Sequence, residues 1–140
     1  MRLLLLGGTG EARELAARLH PRVDVVSSLA GRVPDPALPV GTVRIGGFGG
    51  VPGLRQWLAD NDIDAVVDAT HPFAATITAN AARACADVGM PHLVLHRPAW
   101  EPGPALTADS DTDAAETVAE QGFSRVFLTT GRSGVRAFRD

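Results

Sequence analysis

Three stretches of this 140-residue chain hold residue types that could do chemistry. Asp68-Ala69-Thr70-His71-Pro72-Phe73 sets a carboxylate, a hydroxyl and an imidazole close together in the chain. A histidine in that setting can hydrogen-bond a ligand or move a proton, with Asp68 as a second candidate and Thr70 as a ligand contact. A helix-capping or packing role for the same ring stays open. Gly7-Gly8-Thr9-Gly10 offers backbone N–H groups rather than side chains, which is the chemistry of holding a phosphate. Gly46-Gly47-Phe48-Gly49-Gly50 places four glycines around one phenylalanine, an arrangement costly in chain entropy. It predicts backbone approaching a ligand closely around Gly47, with Phe48 offering an apolar face. A merely flexible loop is the alternative.

What is missing narrows the chemistry further. All thirteen basic residues are arginine, and there is no tyrosine. Without lysine the chain has no P-loop and no Schiff-base amine. Without the Tyr/Lys pair it cannot protonate a carbonyl in the manner of short-chain dehydrogenases. The single Cys85 cannot form an internal disulfide, and it falls among the apolar positions of a predicted helix, so it reads as core. The acidic run Asp109–Asp113 lacks the glycine and terminal glutamate of a calcium loop, and no metal site is expected. A net charge of −3 argues against nucleic acid. A small anionic ligand needs only local arginines or N–H groups, and so remains compatible. No apolar run approaches the ~20 residues that span a bilayer. No secretory signal is read at the amino end, and a single cysteine makes a reducing cytoplasm the expected compartment.

The elements that must position these residues follow from periodicity. Leu3–Leu6 is a short, fully apolar run bounded by glycines, as in a buried strand of a parallel sheet. Ala12, Leu15, Ala16 and Leu19 then form the stripe of an amphipathic helix closed at His20-Pro21. Strand, glycine turn and helix open a nucleotide-binding βαβ unit. Further strands are predicted at Val23–Leu29, Thr42–Ile45, Ala65–Val67, His92–His96 and Arg125–Thr129. Helices are predicted at Val51–Asn61, from about Phe73 to Val88, and at Thr112–Gln121. The fold class is α/β, a Rossmann-like open parallel sheet flanked by helices. The last strand runs into Thr130-Gly131-Arg132-Ser133-Gly134, a second strand-to-glycine turn, and the sequence stops where a helix would begin. This predicts a Rossmann-like domain over residues 1–124 and the truncated start of a second α/β domain over 125–140.

The second strand ends just under twenty residues beyond Gly10, where such folds read the adenosine ribose. An NAD-type site would carry Asp or Glu there; this chain has Ser27 and Ser28, followed by Arg32. Hydroxyls and an arginine suit a 2′-phosphate, pointing to NADP, although a solvated arginine at a strand end also accounts for them. The first turn is itself a poor match to G-x-G-x-x-G, since reading from Gly8 puts Arg13 in the last position.

Taken in order, GGTGEAREL (Gly7 to Leu15), SSLAGR (Ser27 to Arg32), RIGGFGG (Arg44 to Gly50), DATHPFA (Asp68 to Ala74) and LTTGR (Leu128 to Arg132) resemble the precorrin-6A reductase and cobalt-precorrin-6A reductase family of cobalamin biosynthesis. The resemblance covers nearly the whole chain. It implies two Rossmann-like domains, with NADPH and substrate meeting between them. It also implies hydride transfer that reduces one double bond of a tetrapyrrole macrocycle. On that reading the cofactor contacts are Gly7, Gly8, Thr9, Gly10, Ser27, Ser28, Arg32, Gly47, Phe48 and Thr70. His71 or Asp68 would supply the proton, with water or a residue beyond this chain as alternatives. The many carboxylates of the substrate would meet Arg44, Thr130 and Arg132. Glu11 fits less easily, because an acid in the first helical turn suits the helix dipole but repels a phosphate. A different class also fits the same opening: an NADP-sensing Rossmann module with no chemistry of its own.

Overall fold

The computed structural model describes residues 1–31, 37–96, 101–130 and 134–139. The chain divides into two compact units, Met1–Pro98 and Ala99–Asp140. The first contains β1 (Arg2–Leu6), α1 (Gly10–Leu19), β2 (Asp24–Leu29), β3 (Thr42–Ile45), α2 (Gly50–Asp60), β4 (Ala65–Asp68), α3 (Ala75–Val88) and β5 (His92–Val94). Its sheet is wholly parallel, in the order β3-β2-β1-β4-β5. The chain winds outward from β1 to one edge, then crosses back to start again on the other side. In open α/β sheets the crevice at that reversal is where ligands bind.

The four leucines explain why β1 is central. Leu4 and Leu6 pack with Leu54 and Leu58 of α2 and Ala81, Ala84 and Cys85 of α3. Leu3 and Leu5 pack with Ala12 and Ala16 of α1 and with Val25. Alternate side chains of a strand point to opposite faces, so an unbroken apolar run serves a sheet covered on both. The small alanines let α1 lie close against its face. Cys85 is buried in the core as its sequence position predicts, and burial pushes its thiol pKa up, away from the reactive thiolate. Leu4 is fully buried. Leu4→Ala is expected to lower unfolding free energy by about 3 kcal/mol, measured by urea titration, because the packed layers close only partly over the cavity.

The predicted elements of this unit are all present, with small shifts at their ends. α3 starts at Ala75 rather than near Phe73, because His71–Ala74 forms a turn in which the Ala74 N–H donates to the His71 carbonyl at 2.8 Å. β5 stops at Val94.

The second unit contains α4 (Asp111–Glu120) and a 3-10 turn, Gly134–Phe138. Ser110 caps α4, its Oγ accepting the Asp113 N–H at 3.1 Å, with Asp111 and Asp113 in the positive first turn. The acidic run is thus a helix start. The sixth strand expected at Arg125–Thr129 is not formed. Val126 and Phe127 are exposed, Phe127 to 91%. A strand exists only where a neighbouring edge completes its hydrogen bonds, and this unit has no other strand among the described residues.

Candidate functional site

The carboxyl ends of β1 to β4 each lead into one of the segments singled out above. Between them lies a groove of about 560 Å³, within the size range of small-molecule and cofactor sites. Of the expected site residues, Gly7, Gly8, Ser28, Gly47, Phe48, Thr70 and His71 line it. Thr9, Gly10, Ser27, Arg44 and Asp68 stand at the same end of the sheet but not on the groove wall. Thr130 belongs to the C-terminal unit. Arg32 and Arg132 lie outside the described residues.

The first turn is built by Thr9. Its hydroxyl donates to the Ala69 carbonyl at 2.8 Å and accepts the Ala12 N–H at 3.1 Å. One side chain therefore caps α1 and ties the β1–α1 turn to the end of β4. The Gly7 N–H goes to the Ser28 carbonyl at 3.0 Å. The N–H groups of Gly8, Thr9 and Gly10 have no partner among the described residues, which leaves them for a ligand at the helix amino end. Gly8 adopts φ +108°, open to glycine and strained for other residues. Thr9→Ala is expected to destabilise the chain by about 1–2 kcal/mol, through the lost cap and the Ala69 carbonyl left without its donor. Thermal unfolding measures it.

The two serines separate. Ser28 Oγ accepts an Arg44 N–H at 2.7 Å on the groove wall. Ser27 is buried, its Oγ without a partner among the described residues. It borders a separate small cavity of about 40 Å³ with Gly7, Gly8 and Arg13, room enough for a water molecule.

The glycine-rich loop is ordered by Arg44. The guanidinium folds back to donate to the Gly46 carbonyl at 2.9 Å and the Gly47 carbonyl at 3.0 Å. It stacks 3.8 Å from the centre of the Phe48 ring, and Trp57 meets that ring edge-on at 5.4 Å. Burial lowers the Arg44 pKa, as expected of a cation partly withdrawn from water. Gly49 and Gly50 both take positive φ, turning the loop into α2.

At the end of β4, Asp68 is buried, and its Oδ1 accepts both the Thr70 N–H at 3.0 Å and the Thr70 hydroxyl at 2.6 Å. Its Oδ2 has no partner among the described residues. The carboxylate holds Thr70 in place rather than facing the groove. His71 is exposed, with Nδ1 accepting the Phe73 N–H at 3.2 Å. In the neutral ring the proton therefore sits on Nε2, the nitrogen without a partner among the described residues. One nitrogen of this ring thus shapes the turn.

Sequence reasoning missed Phe73, Thr76 and Asn80, which line the groove from the α3 side. Phe73 is 91% exposed and its ring lies 4.9 Å from that of His71. Thr76 and Asn80 stand four apart on α3, and that polar pair on a helix following a candidate site strand was the available signal.

The family model described as precorrin-6x reductase CbiJ/CobK matches residues 2–140. The chain belongs to this family. It is 70% identical over 137 residues to a precorrin-6A reductase of Mycobacterium tuberculosis, covering 98% of this chain and 56% of that one. It is 58% identical over 144 residues to a precorrin-6A reductase of Rhodococcus erythropolis, covering 99% and 58%. A solved structure of CobK precorrin-6A reductase superposes with a TM-score of 0.88 at 40% identity, covering 99% of this chain and 56% of that chain. The chain thus spans about half the length of the family relatives it matches.

Proposed function

We propose that this chain carries the nucleotide-binding part of a cytoplasmic oxidoreductase that uses NADPH to reduce one double bond of precorrin-6A in cobalamin biosynthesis. Family membership supports the substrate and the reaction class, as both named relatives are precorrin-6A reductases. One observation carries the cofactor: beside the groove at the sheet reversal, the Gly8, Thr9 and Gly10 N–H groups at the α1 amino end have no partner among the described residues, and Ser28, not a carboxylate, lines the groove near the end of β2.

The residues present fit such a dinucleotide. A Cβ added at Gly8, Gly46, Gly47 or Gly49 would meet nothing within 4 Å, so backbone there leaves open space a ligand can use. Gly8, Thr9 and Gly10 hold the pyrophosphate through N–H groups, with Gly7 keeping the turn in register. Ser28 takes the ribose end, supported by Ser27 and Arg32. Gly47 and Phe48 form one wall, and Thr70 the β4 side. When bound, NADPH supplies the hydride, so the protein's part is position and protonation. His71 delivers the proton to the neighbouring ring carbon, and Asp68 fixes the strand end from which it projects. Residues 125–140 open a second α/β domain in this reading, with Thr130 and Arg132 as its substrate-side groups. Neither a membrane nor a nucleic acid enters the scheme, and no described helix is long and apolar enough to cross a bilayer.

Full-length protein mixed with NADPH and precorrin-6A is expected to consume one NADPH per macrocycle, followed by the loss of reduced-nicotinamide absorbance. Binding of NADPH with no consumption would instead identify a sensing module without chemistry.

A further inference from the structure

Arg44 is a half-buried cation whose charge no described carboxylate answers, since it makes no ion pair among the described residues. A guanidinium has five N–H donors and no acceptor. Both donors on Nη1 are engaged, by Ser28 Oγ and the Gly46 carbonyl, and one on Nη2 is engaged by the Gly47 carbonyl. The Nε–H and the second Nη2–H have no partner among the described residues. Two of the five donors are therefore left over, and a guanidinium uses such donors to hold phosphate oxygens.

Its surroundings sharpen the point. Phe48 at 3.8 Å and Trp57 at 5.4 Å supply only ring faces, which stabilise a cation modestly and do not neutralise it. Withdrawing a charge from water without a counter-charge is costly, as the lowered Arg44 pKa also indicates. Ser28 stands opposite Arg44 in the β2–β3 register. Because its oxygen accepts from Arg44, its own O–H is left for another acceptor, and Ser28 is a residue of the groove wall. The end of β2 therefore gathers donors and a positive charge, with no acid paired to them among the described residues. In a sheet of this order that is where the adenosine ribose rests, and where an acid would select a free 2′-hydroxyl.

The geometry points to Arg44, acting with Ser28, as the group that grips the ribose 2′-phosphate and sets the preference for NADPH over NADH. This rests on the NADPH reading above and assigns to the cofactor an arginine whose sequence position suggested a substrate clamp. Arg44 then does two things at once: two N–H groups hold the loop carbonyls and one holds Ser28, while the remaining donors read the phosphate.

The test is equilibrium binding of NADPH and NADH to full-length protein, with adenosine 2′,5′-bisphosphate and adenosine 5′-monophosphate as competing probes. Wild type is expected to favour the 2′-phosphorylated member of each pair. Arg44→Met is expected to weaken NADPH about 10–100-fold while NADH changes less than about threefold, the range for hydrogen bonds to a charged group. Ser28→Ala, which leaves both carbonyl bonds of Arg44 in place, is expected to reduce the same preference severalfold, and it carries the test if Arg44→Met does not fold. Equal weakening of both dinucleotides would make Arg44 a loop organiser and overturn the assignment, as would an unchanged preference in both variants. Wild type that binds both dinucleotides equally overturns the assignment but leaves the cofactor site standing. Wild type that binds neither overturns the cofactor reading as well.

Discussion

Gly53→Ala is expected to cut dinucleotide affinity at least about tenfold and to lower stability by about 1–3 kcal/mol, the usual cost of forcing atoms into packed space. Gly53 lies in the first turns of α2, where a Cβ would fall 1.8 Å from the Phe48 carbonyl oxygen and 2.9 Å from its carbon. Both are backbone atoms, so no side chain can swing aside. The loop itself has to move, and it carries the Gly46 and Gly47 carbonyls that hold Arg44 and, through it, Ser28. One added methyl thus reaches the ribose end of the groove without touching it. Titration with NADPH and a urea unfolding curve measure the two effects. Wild-type affinity in a folded Gly53→Ala protein would show that this loop does not carry the nucleotide.

Turnover should fall by at least about a hundredfold in His71→Ala, the lower range for loss of a general acid, while NADPH affinity stays within about twofold. The ring projects from the β4–α3 turn with Nδ1 held by the Phe73 N–H and Nε2 available. To give up a proton it must first carry one on each nitrogen, which releases the Phe73 N–H. That group is exposed, so water replaces the lost acceptor at little cost. A steady-state comparison of kcat, with direct binding of NADPH alongside, separates the roles. Unchanged kcat would reduce His71 to a turn-shaping residue.

Much of this site is legible in the chain because it depends on local patterns. The Leu3–Leu6 run and the glycines after it mark a central strand and its turn, and Asp68–Thr70–His71 falls at a strand end as its position after an apolar run requires. Arg44 was harder to place. An arginine before a glycine loop reads as a surface or ligand group, and only the folded loop shows its guanidinium holding carbonyls two and three residues on. Gly53 was not legible either, because a glycine inside a helical pattern signals only lost helix propensity. Its meaning lies in a backbone contact outside the helix. Arg125–Thr129 shows the opposite failure: its residues favour a strand, but propensity cannot supply a neighbouring edge.

The central place of β1 also has a consequence in time. Leu3 pairs with Val25 on one side and with Ala65 on the other. β1, synthesised before the other strands of this sheet, therefore waits some sixty residues for its second neighbour, about 3–12 s at about 5–20 residues per second. Helices α2 and α3, which cover Leu4 and Leu6, arrive over the same interval and beyond. During that delay the four leucines are an exposed apolar segment on a nascent chain. Slowed translation between residues 30 and 90 is expected to favour aggregation or chaperone capture, with the mature protein unaffected once α3 closes over the sheet.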